Sequence, residues 1–429
     1  MKSRKGTRTA AAVLAILALT ATACSSKDDD DETTNPPAGA SGSSGQVKTG
    51  AGVTASEIKV GELTDMSGPF APLGKSVTNA EALYFKQING QGGICGRQVK
   101  LEVKDHAYDP QKARTQYTEL SGNVVGISQL IGSAIVTQLQ DDIDREGILT
   151  LPQAWPSTLL GKKTIQVTAT TYDVEIINGV SYLKRTANLA AGDKVGHIYA
   201  DDEFGANSFA GAKYAAQAAG LSLVEQKIKP TDSDMTAAIT ALKSAGVKAI
   251  IVSASPRQVG PIMATSEAAG LKVPVLAHSV GFHPQLLAIP AVAGAMEQRL
   301  LVTSPVPSIN SELPTLTKLV ADYTAEYPGQ PIDQGVLSGF STAAIFGEAL
   351  KGACQAGDLT PAGVVAAHRK NASLDLGYGA KLDFSSPDKP PSYQTYILKV
   401  DKSKASGLAT VEQAFEAPEA KTYTLPKAG

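Results

Sequence analysis

The feature that most constrains this chain is an alternation of strand and helix signals that occurs twice. In the first half, Glu57–Leu63 alternates polar and apolar residues as a strand does, and a helix with one apolar face follows at Lys75–Asn89. In the second half, the strand Lys194–Ala200 precedes the helix Ser208–Ala219, which Gly220 ends. The offset between the halves is about 135 residues. The pattern predicts an α/β fold made of two doubly wound, parallel-sheet lobes.

The remaining elements continue this alternation and then complete both lobes, so that the chain crosses between them more than once. Within the two halves, the predicted strands are Gln98–Lys104, Val124–Ile131, Ile148–Leu151, Thr164–Val167, Ser222–Ile228, Val247–Ser253 and Val273–Ala277, and the predicted helices are Gln111–Ser121, Met235–Ala245 and Gln258–Ala269. Beyond Arg299, we predict strands at Leu300–Thr303, Gly379–Phe384 and Thr395–Val400 and helices at Leu313–Tyr327 and Val336–Ala353.

The N-terminus has the pattern of a secretory signal peptide over residues 1–23. Four cations, the first being Lys2 and the last Arg8, precede the apolar run Ala10–Leu19. This run is too short to span a bilayer, which takes about 20 apolar residues. Export is therefore expected.

Cys24 follows directly after small residues, and Leu19–Cys24 resembles a bacterial lipobox. This resemblance implies cleavage before Cys24 and lipidation of its thiol, which would anchor the protein to the cell membrane on its extracytoplasmic face. The alternative is an ordinary secreted protein with an incidental cysteine. Residues 24–55 contain an acidic run, Asp28–Glu32, and a Gly/Ser stretch, and this composition predicts a flexible linker.

The other two cysteines, Cys95 and Cys354, are too far apart for the Cys-x-x-Cys spacing of redox or zinc sites. Outside the cytoplasm, two such thiols form a structural disulfide more often than they stay free. We predict the disulfide, with two free thiols as the alternative.

Several function classes find no support in the sequence. Loss of the leader cations changes the net charge from −2 to −6, and this mildly acidic balance does not provide the clustered cations that nucleic acid binding needs. Gly68–Ser76 looks like a phosphate-binding loop, but its spacing is one residue too long, and Pro69 and Pro72 have no amide hydrogen to offer a phosphate. The five histidines show no metal-binding spacing, and no catalytic nucleophile motif occurs. The sequence predicts a binding protein without metal or cofactor rather than an enzyme.

The order of several short motifs resembles that of branched-chain amino acid ABC-transporter substrate-binding proteins. These motifs are Ile58–Gly61, Ser67–Gly74, Ile88–Arg97, Asp105 with Asp109-Pro110, Ile131–Ser133, Glu146–Leu149, Phe204-Gly205 after Asp201-Asp202, and Gly270–Lys272. The resemblance implies a type I periplasmic-binding fold, in which two lobes are joined by three hinge crossings and bind ligand in the cleft between them. It places the N-lobe at residues 56–170 and 305–392 and the C-lobe at residues 171–304 and 393–426. The crossings are expected near 169–173, 302–305 and 392–395.

The resemblance also implies which residues bind ligand. Family members hold an amino acid's carboxylate with first-lobe loops, which here match Gly132–Thr137, with Ser133 or Thr137 as hydroxyl donor, and Ala154–Ser157 with Trp155. In the second lobe the family uses a tyrosine, aromatic residues and an acid for the ammonium, where this chain has Phe204, Ser255 and Ser279.

The absence of an acid at Ser279 weakens the case for an α-amino acid, because a buried ammonium without a carboxylate partner is costly. Trp155, Tyr172, Phe204 and Phe70 would instead line an apolar or aromatic pocket, or pack as ordinary loop residues.

The function implied is the lipid-anchored solute receptor of an ABC importer, a monomer that closes on a small solute and presents it to membrane permease subunits. A tethered sensor that presents its ligand-bound form to a signalling receptor is the alternative.

Overall fold

The computed structural model describes residues 47–426. The predicted signal peptide, Cys24 and most of the predicted linker lie outside the described residues. Between Val47 and Pro426, no helix is long and apolar enough to cross a membrane.

The first lobe contains a four-stranded parallel sheet. Its strands are β2 (Glu57–Thr64), β3 (Gln98–Asp105), β4 (Ile127–Ile131) and β5 (Thr150–Gln153), and they lie side by side in the order β3-β2-β4-β5. The first helices of this lobe are α1 (Ala71–Gly90), α2 (Pro110–Ser121) and α3 (Ser133–Glu146). All five residues of β4 are buried, as expected for a parallel strand covered by helices on both faces.

The second lobe contains a seven-stranded sheet of order β13-β12-β10-β9-β8-β6-β7, in which β12 alone runs antiparallel to the other strands. Its strands are β6 (Lys194–Ala200), β7 (Ser222–Ile228), β8 (Ala249–Ser253), β9 (Val275–His278), β10 (Leu300–Ser304), β12 (Thr395–Val400) and β13 (Leu408–Phe415). Its helices are α4 (Tyr172–Thr186), α5 (Glu203–Ala219), α6 (Thr236–Ala245), α7 (Pro256–Ala268), α8 (Pro290–Arg299) and the short α12 (Pro418–Thr422). The predicted fold class is confirmed.

After β10 the chain returns to the first lobe, where it forms α9 (Pro314–Glu326), α10 (Gln334–Gln355), β11 (Asp358–Leu359) and α11 (Pro361–His368) before it re-enters the second sheet at β12. Helix α10 packs closely on α1, because Gly339 has no side chain: a Cβ there would lie 2.3 Å from the carbonyl oxygen of Val77. A disulfide joins Cys95, beyond the end of α1, to Cys354 near the end of α10.

The structure differs from the predicted elements at several places. The strands predicted at 164–167 and 379–384 form only isolated bridges, Thr150 with Ile165 and Leu374 with Leu382, because the chain leaves the sheet at once. Residues 48–49, assigned to the linker by the sequence, form β1, which pairs in parallel with β11. The strand predicted at 148–151 is displaced by two residues. Helices α3, α4 and α8 and strand β13 had no predicted counterpart.

Candidate functional site

A cavity of about 630 Å³, counting the part open to solvent, lies at the carboxyl end of the first sheet and extends to the second lobe. Such a position is where open α/β sheets bind ligands. First-lobe residues form most of its wall: Phe70, Leu73, Val77, Tyr108, Ile131, Gly132, Ser133, Gln153, Trp155, Gln334, Gly335 and Ser338. The second lobe contributes Tyr172, Phe204, Ser279 and Val280.

Helix N-termini surround this cavity and differ in how they are capped. Asp202 caps α5 by accepting from the amide of Gly205 at 2.9 Å, and Asp333 caps α10 by accepting from the amide of Val336 at 3.1 Å. No side chain caps the beginning of α1, α3 or α4. An uncapped helix N-terminus favours an anion, since its amide groups and dipole are both positive there.

The beginning of α3 is brought to the cavity by Gly132. This residue has φ +103°, and a Cβ on it would lie 2.6 Å from the ring of Tyr108. Only glycine adopts this conformation freely and leaves room for the ring of Tyr108. Ser133 is the first residue of α3 and is almost fully buried against the cavity.

Further donors face the same space. The indole Nε1 of Trp155 is buried and has no hydrogen-bond partner among the described residues. Burial raises the pKa of Tyr172, and burial together with Asp202 raises the pKa of Tyr108 well above its usual value. Both phenols therefore stay protonated at neutral pH, and the hydroxyl of Tyr108 donates to Asp202.

Aromatic rings form the rest of the wall. The rings of Tyr172 and Phe204 are 4.6 Å apart at their centroids, those of Trp155 and Tyr172 are 5.8 Å apart, and Phe70 lies 5.2 Å from Tyr108. These residues come from both lobes, so the aromatic wall bridges the cleft. It offers a ligand a large apolar surface.

Two carboxylates hold the loops that carry Phe70 and Tyr108. Asp65 accepts from the amide of Phe70 at 2.9 Å, and Asp105 accepts from the amides of Met66 and Ala107 at 2.9 and 3.0 Å. Burial opposes ionisation of Asp105, but these hydrogen bonds and one from Ser67 hold its pKa below the usual range. The two acids therefore shape the loops rather than face the ligand.

Among the described residues that line the cavity, none is Asp, Glu, Lys, Arg or His. Each nearby acid has at least one protein partner, although Oε2 of Glu175 is buried with no hydrogen-bond partner among the described residues. Asp202 accepts from the hydroxyl of Tyr108 at 3.4 Å, and burial raises its pKa. Behind the aromatic wall, an oxygen of Glu175 lies 3.0 Å from Nδ1 of His278 and accepts from Thr303 at 2.6 Å.

The structure brings together six of the ten residues that the sequence nominates for ligand binding. They are Phe70, Ser133, Trp155, Tyr172, Phe204 and Ser279.

The other four do not line the cavity. Ser157 donates to Asp173 at 2.5 Å, and Ser255 caps α7 in a capping box with Gln258. Ala154 is buried in the apolar core, and Thr137 lies one helical turn beyond Ser133, away from the cavity edge. Sequence order alone does not distinguish these roles.

Sequence reasoning missed Tyr108, Gln153, Gln334 and Ser338. Tyr108 carried one signal, its place between the loop acid Asp105 and the helix start Asp109-Pro110, where the backbone turns with φ +61°. The other three reach the cavity only through the packing of α10 on the first sheet. Gln153, for example, accepts from Ser338 at 2.8 Å and donates to Thr342 at 2.7 Å.

The sequence model of a family described as periplasmic binding protein matches residues 57–405, and the chain belongs to this family. It is a substrate-binding protein of the ABC-transporter type, as the motif order predicted, and its homologues are solute-binding proteins rather than enzymes.

Solved structures and curated relatives support this assignment. A fatty acid ABC transporter substrate-binding protein from Thermomonospora curvata is 42% identical, with a TM-score of 0.87 over 89% of this chain and 98% of that one. A leucine-, isoleucine-, valine-, threonine-, and alanine-binding protein of Pseudomonas aeruginosa is 23% identical over 345 residues, which are 78% of this chain and 89% of the relative. A branched chain amino acid ABC transporter from Thermus thermophilus with bound valine shares the fold, at 19% identity and a TM-score of 0.76 over 86% of this chain and 99% of that one.

Proposed function

We propose that the protein is the lipid-anchored, extracytoplasmic receptor of an ABC importer and that its ligand is an aliphatic carboxylate of the fatty acid class. The observation that carries this proposal is a cavity lined by hydroxyl, indole and apolar groups, with no charged side chain among its described residues. An α-amino acid brings a carboxylate and an ammonium, whereas a fatty acid brings only the carboxylate.

The cavity has no partner for the ammonium of an amino acid. A buried ammonium needs a carboxylate, and the position where the family has its acid is Ser279 in this chain. Asp202 and Glu175 do not line the cavity, and each has a protein partner. An amino acid would therefore lose the hydration of its ammonium without compensation.

The carboxylate has a set of donors. They are the uncapped amides at the start of α3, the hydroxyl of Ser133 and the unpaired indole Nε1 of Trp155, and both side chains line the cavity. Hydrogen bonds to a charged acceptor are about twice as strong as neutral ones. The alkyl chain would then lie against Phe70, Leu73 and Phe204.

The relatives are consistent with this ligand. The protein from Thermomonospora curvata, described as a fatty acid binding component, shares far more sequence identity with this chain than do the described branched-chain amino acid binders. Identity of 42% over nearly the whole of that chain supports a shared ligand class, and the cavity chemistry supports it independently.

In the proposed receptor, Cys24 would carry the lipid and residues 25–46 would form the tether, which would raise the local concentration of the receptor near its permease. Incorporation of radiolabelled palmitate into the wild-type protein, and its loss in Cys24→Ser, would test the anchor.

Contacts between the lobes, such as Tyr108 with Asp202 and His283 with Asp333, support a closed form that opens by hinge motion.

A melting-shift screen of the mature protein tests the ligand class. We expect decanoate to stabilise the protein by RT ln(1+[L]/Kd), about 2.7 kcal/mol at a concentration of 100 Kd. Leucine and valine should produce no shift at the same concentrations, and decanol, which keeps the chain but lacks the carboxylate, should give a smaller one. Larger shifts with leucine or valine than with decanoate would contradict the proposed ligand class.

A further inference from the structure

A second cavity, of about 650 Å³ including its open part, lies where the chain crosses between the lobes. Its wall contains Thr168–Thr170 from the first crossing, Ser304–Val306 from the second and Ser392 from the third. These crossings touch one another: the hydroxyl of Thr170 donates to the carbonyl of Gln394 at 2.6 Å. We refer to this space as the hinge cavity.

The hinge cavity adjoins the ligand cavity. Trp155, Ser279, Gln334 and Ser338 line both of them. The two adjoining spaces extend from the N-terminus of α3 to the crossings, and we refer to them together as the path. Trp155 stands at the junction and is the chain's single tryptophan.

The far end of this path is aliphatic. Val306, Ile345, Leu376, Ala380 and Leu382 line it. Ile345 is fully buried, and the others are half-buried near the surface of the protein. An extended apolar chain fits such a wall, whereas a second charged ligand would find no charged partner among the described lining residues.

The polar groups along the path make few demands on a ligand, because they are bound to the protein. Ser341 lies 2.8 Å from the hydroxyl of Tyr378, and Thr342 donates to the carbonyl of Ser338 at 3.0 Å. Gln334 donates to the carbonyl of Pro307 at 3.1 Å. Hydroxyl and amide groups that already have partners pose no desolvation penalty to a passing alkyl chain.

We propose that the hinge cavity holds the distal part of the alkyl chain, so that the protein selects long-chain over short-chain carboxylates. This inference rests on the proposed function, in which the carboxylate lies at α3. Each buried methylene contributes about 0.8 kcal/mol, which is roughly a four-fold gain in affinity. Affinity should rise by about this factor per methylene until the chain fills both cavities.

The test compares hexanoate, decanoate and hexadecanoate, titrated by calorimetry and by the fluorescence of Trp155, on the wild-type protein and on two variants that fill the hinge cavity. Ala380→Phe and Val306→Phe each add bulk at the far end without removing a side-chain hydrogen bond. Thermal melting of the ligand-free proteins establishes whether each variant folds. If Ala380→Phe does not fold, Val306→Phe provides the test. Leu73→Phe, in the ligand cavity, is the matched control.

We expect the filled variants to lose at least about ten-fold in affinity for hexadecanoate, the effect of roughly two excluded methylenes, and to bind hexanoate as the wild type does. Leu73→Phe should weaken all three acids. Unchanged hexadecanoate affinity in the filled variants would overturn the hinge-cavity assignment while leaving the proposed function intact. Failure of all three acids to bind the wild type would instead overturn the proposed function.

Discussion

Single residues decide the chemistry of the cavity, and Trp155 provides an unpaired hydrogen-bond donor there. Its indole Nε1 is buried without a hydrogen-bond partner among the described residues, and Trp155 lines the same cavity as Ser133 at the beginning of α3. A buried donor left unpaired costs about 1–3 kcal/mol, which an anionic ligand would recover. We therefore regard Trp155 and Ser133 as the carboxylate-binding pair.

Ser133→Ala should weaken decanoate binding by about 10- to 100-fold, since a hydrogen bond to a charged group is worth about 1.5–3 kcal/mol. Thr137→Ala is the matched control, because Thr137 is on the same helix but does not line the cavity. Calorimetric titration of both variants gives the comparison. An equal loss in the two variants would contradict this placement of the carboxylate.

The choice between Ser133 and Thr137 shows what a sequence does and does not reveal about the site. Both are hydroxyl residues in the segment that resembles the family's carboxylate loop. Their roles separate only once the helix is known to begin at Ser133, with Gly132 at positive φ in front of it. The lack of an acid at Ser279, in contrast, is visible in the sequence and already pointed away from an amino acid.

A buried acid pair makes stability depend on pH. Glu62 in β2 and Glu81 in α1 are fully buried, and Ser128 donates to Glu81 at 2.5 Å. Burial raises the pKa of Glu81 to about 8, and burial together with Glu81 raises the pKa of Glu62 well above its usual value. The folded protein therefore keeps protons that the unfolded chain has lost.

Because the folded pKa values are raised, the stabilisation is fully present below about pH 4.5 and is lost as pH rises toward about 8. The free energy of unfolding should fall by up to about 1.4 kcal/mol per pH unit for each retained proton. Glu81→Gln should flatten this slope in urea unfolding between about pH 5 and pH 8. Glu102→Gln, at an exposed ion pair on β3, should leave the slope unchanged. A wild-type stability that does not depend on pH would contradict the raised pKa values of Glu62 and Glu81.

At the level of secondary-structure elements, the strands and helices with strong periodicity were predictable, and those shaped by the lobe crossings were not. β6 has its predicted bounds, α6 begins one residue later than predicted, and α5 begins five residues earlier. The alternating segment 164–167 reads as a strand in isolation, but it leaves β5 after one bridge because the chain there turns toward the second lobe. Helix α8 shows almost no apolar periodicity and gave no signal.

The position of α3 depends on a glycine at each of its ends, and the two differ in what surrounds them. Gly132 precedes the helix at φ +103° against Tyr108, and Gly147 follows it at φ +69° with no atoms within 4 Å of the space a Cβ would take. Both ends would be strained by alanine, at about 1–3 kcal/mol. Only Gly132→Ala would also displace the ligand-binding end of the helix.

We therefore expect both alanine variants to lower the free energy of unfolding in urea and only Gly132→Ala to lower decanoate affinity. The Gly147→Ala protein should bind as the wild type does, although it is less stable. If the two variants bind decanoate equally well, then the beginning of α3 does not hold the carboxylate.

At the scale of the whole molecule, the two lobes are interleaved in sequence, and a buried contact between His283 and Asp333 is among those that join them. Nε2 of His283, in the second lobe, lies 2.8 Å from Oδ2 of Asp333, which caps α10 in the first. On the other side of the ring, Nδ1 of His283 accepts from the amide of Gln285 at 3.3 Å. Both side chains are 1% exposed, as a contact closed to solvent requires.

If the receptor closes on its ligand, decanoate should reduce the radius of gyration of the wild-type protein in small-angle X-ray scattering. Asp333→Asn keeps Oδ1, which caps α10, and replaces Oδ2, which faces His283 and accepts from Ser76, by an amide group; it therefore weakens the attraction of His283. The closed form should then be less populated, and the apparent Kd should rise in proportion, because it equals the intrinsic Kd divided by the closed fraction. Asp322→Asn, whose carboxylate contacts only first-lobe residues, should change neither quantity. Identical scattering with and without decanoate would show that the two lobes do not move on binding, and the contact between His283 and Asp333 would then be a fixed part of the fold.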